Sequence, residues 1–108
     1  FINDLVKLFF RLSKSKKNVN KIYNVGGGIK NSLSIIELIE ILEKKLNKKN
    51  KYEKFHWRSG DQKIYISNIS KIKRELNWSP KIRISEGLNK VIRWIRENDA
   101  KIKKILKI

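Results

Sequence analysis

The most constraining feature of the sequence is a helix start, the segment Ser34-Ile35-Ile36-Glu37. A serine at the N-cap accepts a hydrogen bond from the backbone three residues on, and a glutamate there bonds back to the N-cap, so the pair determines where a helix begins. The apolar residues that follow recur with the helical period and form one face: Ile35, Ile36, Leu38, Ile39, Leu42 and Leu46. Because such a face needs a packing partner, we expect this helix to belong to a packed structure.

The remaining segments have helical or extended patterns. Apolar spacing predicts a helix over Asp4–Leu12, capped by Asp4 or Asn3 and followed by a basic loop over 13–20. It also predicts a helix from Asn68 to Leu76, a longer one from Ser85 through Ile95, and a basic amphipathic end over 101–108 that frays. Short β-rich runs predict strands over Lys21–Val25, Tyr52–Trp57 and Lys63–Ile66. The predicted fold class is mixed α/β, with too few strands for an independent sheet.

Composition excludes several classes of protein. A length of 108 residues suits one small domain, and the absence of cysteine excludes a disulfide framework, a thiol nucleophile and a cysteine zinc site. No apolar run approaches the roughly 20 residues that span a bilayer. The chain opens inside an apolar-periodic stretch, without methionine or the features of a signal peptide, so we expect a piece of something longer.

The net charge of +17 suggests binding to nucleic acid. However, the chain contains 21 Lys, 11 Asn and 18 Ile, whose codons are rich in A and T, so base bias in the genome accounts for the composition. Arginine, which readers of bases and phosphates favour, occurs only six times. We therefore expect neither nucleic acid nor a membrane as partner. The alternative of another class is a small basic protein that binds nucleic acid or an anionic membrane, and the tail over 101–108 supports it most.

Three consecutive glycines, Gly26 to Gly28, follow the first predicted strand. Gly26 and Gly28 match the first two positions of a dinucleotide-binding fingerprint, but Asn31 occupies the third. Glu43, the acid at the expected distance for a ribose contact, falls inside a helix. We interpret the segment as a turn between strand and helix and assign no cofactor-binding residue.

The strongest candidate for chemistry is the segment from Trp57 to Gln62. Arg58 offers a planar fork of donors that suits phosphate oxygens, and Asp61, across a glycine turn, can accept hydrogen bonds from sugar hydroxyls. The alternative is a surface turn in which the two side chains merely pair. His56 has no neighbouring ligand, and we interpret it as a half-buried strand residue. No catalytic residue or metal ligand is assigned.

The order of motifs resembles the extended short-chain dehydrogenases/reductases, the NAD-dependent nucleotide-sugar epimerases and dehydratases. Residues 22–28, with Asn31-Ser32-Leu33-Ser34, resemble the end of their Rossmann part. Residues 58–62, with Tyr65, Ser67 and Lys71, resemble their R-x-G-D segment. Residues 76–81 resemble L-G-W-x-P, with Asn77 in place of glycine, and 86–88 followed by Trp94 resemble the final helix.

This resemblance implies roles for four residues. Arg58 would hold the diphosphate of a nucleotide sugar and Asp61 its ribose hydroxyls, while Trp57 and Gln62 would flank the nucleotide. Asp4 matches the start of a family helix, which implies a structural cap. The residues of the segments 26–34 and 60–62 look most similar to those of CDP-paratose 2-epimerases, with UDP-glucose 4-epimerases and dTDP-glucose 4,6-dehydratases as near alternatives.

The resemblance also implies what the 108 residues lack. The family's glycine motif for NAD and its Tyr-x-x-x-Lys pair have no counterpart here, so NAD would be bound by a missing N-terminal Rossmann half and the chain alone would be inactive. Residues 1–31 would be the last helix-strand unit of that half, and 32–108 a small α/β substrate-binding lobe with a basic C-terminal helix. The full enzyme is expected to be a cytoplasmic homo-oligomer that acts on a nucleotide-diphosphate sugar.

Overall fold

The computed structural model of the chain describes residues 1–15 and 20–107, and its regular elements are helices. They are α1 (Ile2–Ser13), a 3-10 helix (Ile29–Asn31), α2 (Ile35–Leu46), α3 (Ser70–Leu76), α4 (Ile84–Glu97) and α5 (Asp99–Leu106). The chain divides into two compact units. We call Phe1–Lys21 with Pro80–Ile108 the terminal unit, and Ile22–Ser79 the central unit. The predicted division into 1–31 and 32–108 stays a prediction.

The predicted strands are not confirmed. Residues 20–28, 52–57 and 63–66 are irregular backbone, and no described residue belongs to a strand. A strand is defined by hydrogen bonds to a neighbour, and the described residues offer these runs no such partner. The mixed α/β character of the fold class is therefore not confirmed, since the described residues form helices joined by irregular segments. Of the predicted basic loop over 13–20, residues 16–19 lie outside the described residues.

The capping box at the start of α2 is confirmed. The Ser34 hydroxyl accepts from the Glu37 backbone N–H at 3.2 Å, and the Glu37 carboxylate accepts from the Ser34 N–H at 2.6 Å. The hydrogen bond from the Ser34 backbone, followed by the bond with the Ser34 side chain, lowers the pKa of Glu37 below its ordinary value. At the other end of α2, Glu43 accepts from the Asn50 backbone N–H at 2.7 Å and from Lys49 Nζ at 3.2 Å. Both ends of α2 are therefore closed by its own side chains and neighbouring backbone.

Neither Asp4 nor Asn3 caps α1, contrary to the prediction. The helix begins at Ile2, which places Asp4 in its first turn. Its carboxylate is buried and accepts from the backbone N–H groups of Lys81 at 3.2 Å and Ile82 at 3.0 Å. The carboxylate thus joins α1 to the segment before α4, and these contacts span 77 and 78 residues of sequence.

The buried apolar residues of the described chain are few. Leu8 of α1 and Ile72 of α3 are fully buried, and Leu76 is nearly so. The helical spacing predicts that Ile69, Ile72 and Leu76 face inward, which is confirmed for Ile72 and Leu76, whereas Ile69 is half-buried. Asn68 accepts from the Ser70 N–H at 3.0 Å at the start of α3. Many large apolar side chains of the described chain are exposed, among them Phe9, Phe10, Ile22, Ile35, Phe55 and Ile64.

The prediction that residues 101–108 fray is wrong for residues 101–106, which belong to α5; Ile108 lies outside the described residues. Asn98 ends α4, where its backbone and side-chain N–H groups both donate to the Trp94 carbonyl, at 3.0 and 2.9 Å. Its own carbonyl accepts from the Ile102 N–H at 2.9 Å, which begins α5. Asn98 therefore forms hydrogen bonds at the end of α4 and at the start of α5. The position of Trp94 near a helix end predicts a core residue, and this prediction is wrong, because the side chain is 57% exposed. None of the described helices is long and apolar enough to cross a membrane.

Candidate functional site

The segment from Arg58 to Asp61 forms a tight turn in the central unit. The Asp61 N–H donates to the Arg58 carbonyl at 3.1 Å, and Gly60, the third residue of the turn, has a φ of 87°. A positive φ at this position is typical of a type II turn, and glycine adopts it without the strain that a side chain introduces. The Gly60 backbone thus brings residues 58 and 61 to the same end of the turn.

The turn places the two candidate side chains next to each other. Arg58 Nε lies 3.5 Å from Asp61 Oδ2, with the side chains 89% and 44% exposed. An exposed ion pair of this kind contributes only about 0.2–1 kcal/mol, so solvent or a ligand displaces it at little cost. The arrangement fits a ligand site, and it equally fits a surface turn whose side chains pair.

Trp57 and Gln62 flank this turn. Both are exposed, and Lys63 Nζ lies 6.0 Å from the centre of the Trp57 ring. The turn is thus preceded by an aromatic residue and followed by a second cation, residue types that suit a base linked to a phosphate. Lys63 was not among the residues predicted from the sequence, and only its position next to Gln62 could have indicated it.

The glycine segment is packed against its own unit. A Cβ on Gly26 would come within 2.7 Å of the Ser67 Cβ, and one on Gly28 within 3.0 Å of the Ile69 side chain. The Ser67 hydroxyl also accepts from the Gly28 N–H at 3.2 Å. A side chain on Gly26 or Gly28 would therefore meet Ser67 or Ile69, and Ser34 already caps the helix that follows. The interpretation as a turn agrees with this packing.

Three further contacts hold the segment before the glycines on α3. The Tyr23 hydroxyl donates to Glu75 Oε2 at 3.0 Å. Lys71 Nζ donates to the Ile22 carbonyl at 2.8 Å and lies 5.1 Å from the centre of the Tyr23 ring. Residue spacing does not indicate these contacts. Ser67 and Lys71 were recognisable only because they belong to the motif that carries the family resemblance.

The structure gives His56 a different environment from the predicted one. The residue is exposed and lies in irregular backbone, where a half-buried strand position was expected. The described residues contain no group of three or more histidine, cysteine or acidic side chains arranged to hold a metal ion.

Comparison with known proteins gives the chain a family context. The family model described as GDP-mannose 4,6 dehydratase matches residues 1–91. The UDP-glucuronate 4-epimerase of Thermodesulfobacterium geofontis is 46% identical over 85 residues, which cover 79% of this chain and 26% of that protein. The CDP-paratose 2-epimerase of Salmonella typhi is 35% identical over 95 residues, which cover 84% of this chain and 27% of that protein.

A relative named for another activity is also similar. The dTDP-glucose 4,6-dehydratase of Haemophilus influenzae is 29% identical over 110 residues, covering 93% of this chain and 32% of that protein. The chain thus spans about a quarter to a third of the length of these curated relatives. No solved structure matches the chain significantly.

Proposed function

The chain belongs to the GDP-mannose 4,6-dehydratase family, and we propose that within it the turn at Arg58–Asp61 holds the nucleotide of a nucleotide-diphosphate sugar. The family match bears out the resemblance to the C-terminal region of nucleotide-sugar epimerases and dehydratases. Support for the site comes from one observation, the exposed guanidinium and carboxylate that the Gly60 turn holds 3.5 Å apart.

Arg58 is the proposed diphosphate ligand. Its contact with Asp61 runs through Nε, and the side chain is 89% exposed, so the terminal nitrogens of the guanidinium are accessible to a ligand. A guanidinium can donate two parallel hydrogen bonds to phosphate oxygens, and a charge-assisted pair of this geometry is stronger than a neutral one. Diphosphate binding would replace the weak ion pair with this stronger interaction.

Asp61 is the proposed ribose ligand. An ionised carboxylate only accepts hydrogen bonds, and adjacent ribose hydroxyls are two matched donors. When a diphosphate binds Arg58, the Asp61 carboxylate no longer pairs with the guanidinium. It can then accept hydrogen bonds from the sugar on the same side of the turn. Trp57 and Gln62, the flanking residues, would contact the remainder of the nucleotide.

The chemistry would take place outside this chain. A Rossmann portion would bind NAD and supply the Tyr-Lys pair, with NAD accepting a hydride while the tyrosine removes a hydroxyl proton. The 108 residues alone would bind the nucleotide sugar and show no turnover. In the full enzyme, a cytoplasmic homo-oligomer, the segment over 20–28 would lie beside that portion, where the exposed Ile22 and Val25 have apolar surface to bury.

Epimerisation of a pyrimidine nucleotide sugar is the activity we favour. The sequence of residues 26–34 and 60–62 suggests a CDP-paratose 2-epimerase, whereas the 46% identity to a UDP-glucuronate 4-epimerase favours a UDP-sugar 4-epimerase. A 4,6-dehydratase is the remaining alternative. Product analysis with UDP-glucuronate, CDP-paratose and dTDP-glucose, using an enzyme that joins this chain to its Rossmann portion, distinguishes the three activities.

The binding site itself is tested with the present chain. We expect the tryptophan fluorescence of the chain, to which Trp57, Trp78 and Trp94 contribute, to show tighter binding of UDP and CDP than of UMP, because only the diphosphates engage Arg58 fully. Arg58→Ala should weaken UDP binding by about tenfold or more, since a hydrogen bond to a charged group contributes about 1.5–3 kcal/mol. Arg96→Ala, which removes the same charge from an exposed position on α4, is the matched control and should have little effect.

A second pair of ligands tests Asp61. Wild-type chain should prefer UDP to 2′-deoxy-UDP, and Asp61→Ala should reduce that preference while Arg58→Ala leaves it. Equal binding of UDP and UMP, or an unchanged affinity in Arg58→Ala, would refute the proposed site. Binding that lacks diphosphate preference and weakens steeply with salt would indicate a general polyanion binder.

A further inference from the structure

The helix α5 carries a pattern that nucleotide-sugar binding does not use. The family model matches residues up to 91, whereas α5 covers Asp99–Leu106. None of its side chains belongs to the turn described above. Its properties therefore require an explanation of their own.

One side of α5 is apolar and exposed. On a helix of 3.6 residues per turn, Ile102, Ile105 and Leu106 fall within about 100° of one another. Ile102 is half-buried, but Ile105 is 77% exposed and Leu106 59% exposed. These three residues form the apolar stripe of α5, and its outer end is open to solvent.

Lysines surround this stripe. Lys101 and Lys103 fall on its two borders, while Lys104 and Lys107 lie on the opposite side. Lys103 pairs with Asp99 at 2.8 Å. Within the described residues, no acidic side chain lies within ion-pair distance of Lys101, Lys104 or Lys107. Positive charge and apolar surface therefore occur together on one short helix.

We propose that α5 docks on the surface of an anionic lipid bilayer, lying in the plane of the headgroups. In that position Ile105 and Leu106 enter the boundary of the acyl chains, while the lysines remain among the anionic headgroups. Nucleic acid would complement the lysines but would leave the apolar stripe in water. The lipid surface is favoured because it complements the lysines and also covers the apolar stripe. This proposal departs from the expectation that the chain has no membrane partner.

The test is sedimentation of the whole 108-residue chain with vesicles. Vesicles of phosphatidylcholine with about one third phosphatidylserine should bind it reversibly, and vesicles of phosphatidylcholine alone should not. Replacing Lys101, Lys104 and Lys107 by glutamine should weaken binding roughly 100-fold, at about fivefold for each charge. Ile105→Ser with Leu106→Ser should weaken it by about tenfold or more, because two exposed apolar side chains no longer insert.

Matched controls separate this surface from the general charge of the chain. Replacing Lys44, Lys48 and Lys49 by glutamine removes the same charge near the end of α2 and should leave binding nearly unchanged. Phe55→Ser with Ile64→Ser removes comparable exposed apolar groups elsewhere and should do the same. Circular dichroism checks that each variant retains its helices.

Three outcomes would overturn the proposal. Equal losses in the two lysine variants would show non-specific attraction of a basic chain. Binding that ignores the serine changes on α5 would show that the stripe does not insert. Failure to bind the anionic vesicles, with binding of single-stranded RNA that depends on the same lysines, would assign α5 to nucleic acid.

Discussion

Replacing Asp4 by alanine tests how α1 is attached to the rest of the terminal unit. The carboxylate is 7% exposed and accepts from two backbone N–H groups, those of Lys81 and Ile82. Hydrogen bonds to a charged group contribute about 1.5–3 kcal/mol each. Because water can enter beside the alanine and replace part of them, we use the lower value and expect a loss of about 3 kcal/mol in the free energy of unfolding.

Two further variants separate the hydrogen bonds from other effects of the carboxylate. Asp4→Asn keeps an acceptor oxygen but removes the charge, so it should lose about half as much, roughly 1.5 kcal/mol. Asp99→Ala removes an acid from the first turn of α5, where it is exposed and pairs with Lys103 at 2.8 Å. This control should cost about 0.5 kcal/mol or less, because exposed helix pairs contribute little.

The assay combines urea unfolding, followed by circular dichroism, with hydrogen exchange at single amides. In Asp4→Ala the amides of Lys81 and Ile82 should exchange about 100-fold faster, since each 1.4 kcal/mol corresponds to a factor of ten. Unchanged exchange at both amides would refute the reasoning. Equal destabilisation by Asp4→Ala and Asp99→Ala would show instead that only the charge near a helix start matters.

Other parts of the structure give three further predictions. The pKa of Glu37 is lowered in the folded state, so its ionised carboxylate stabilises the fold at pH values above the ordinary pKa of 4.5. This contribution is lost as the pH falls through the folded pKa. Between pH 6 and pH 3, the free energies of unfolding of wild type and Glu37→Gln should therefore converge. A difference that stays constant with pH would contradict this. Gly26→Ala should cost about 1–3 kcal/mol by overpacking against Ser67, and much less in a Ser67→Gly background; equal costs in both backgrounds would exclude that contact. The exposed apolar side chains of the described residues predict marginal stability or self-association, which a sharp thermal transition of a clean monomer would contradict.

Several local features of the fold were predictable from the sequence because their partners lie within a few residues. The capping box of α2 joins residues three apart, and the turn at Arg58–Asp61 needs only a glycine at its third position. The inward positions of α3 follow from the helical period. In the candidate site, Arg58 and Asp61 are only three residues apart, so their spacing and the glycine between them were enough to predict that they lie together.

Other features were decided by tertiary structure alone. The sequence pattern predicts Asp4 as a cap because an acid at a helix start usually is one, whereas its partners lie 77 and 78 residues away. Contacts such as Tyr23 with Glu75, 52 residues apart, likewise follow from packing and not from spacing. The predicted strands have the residue pattern of strands but no described neighbour to bond with. Residue order determines hydrogen bonds that close within one turn, whereas a long-range acceptor or a sheet partner exists only once the surrounding chain has packed.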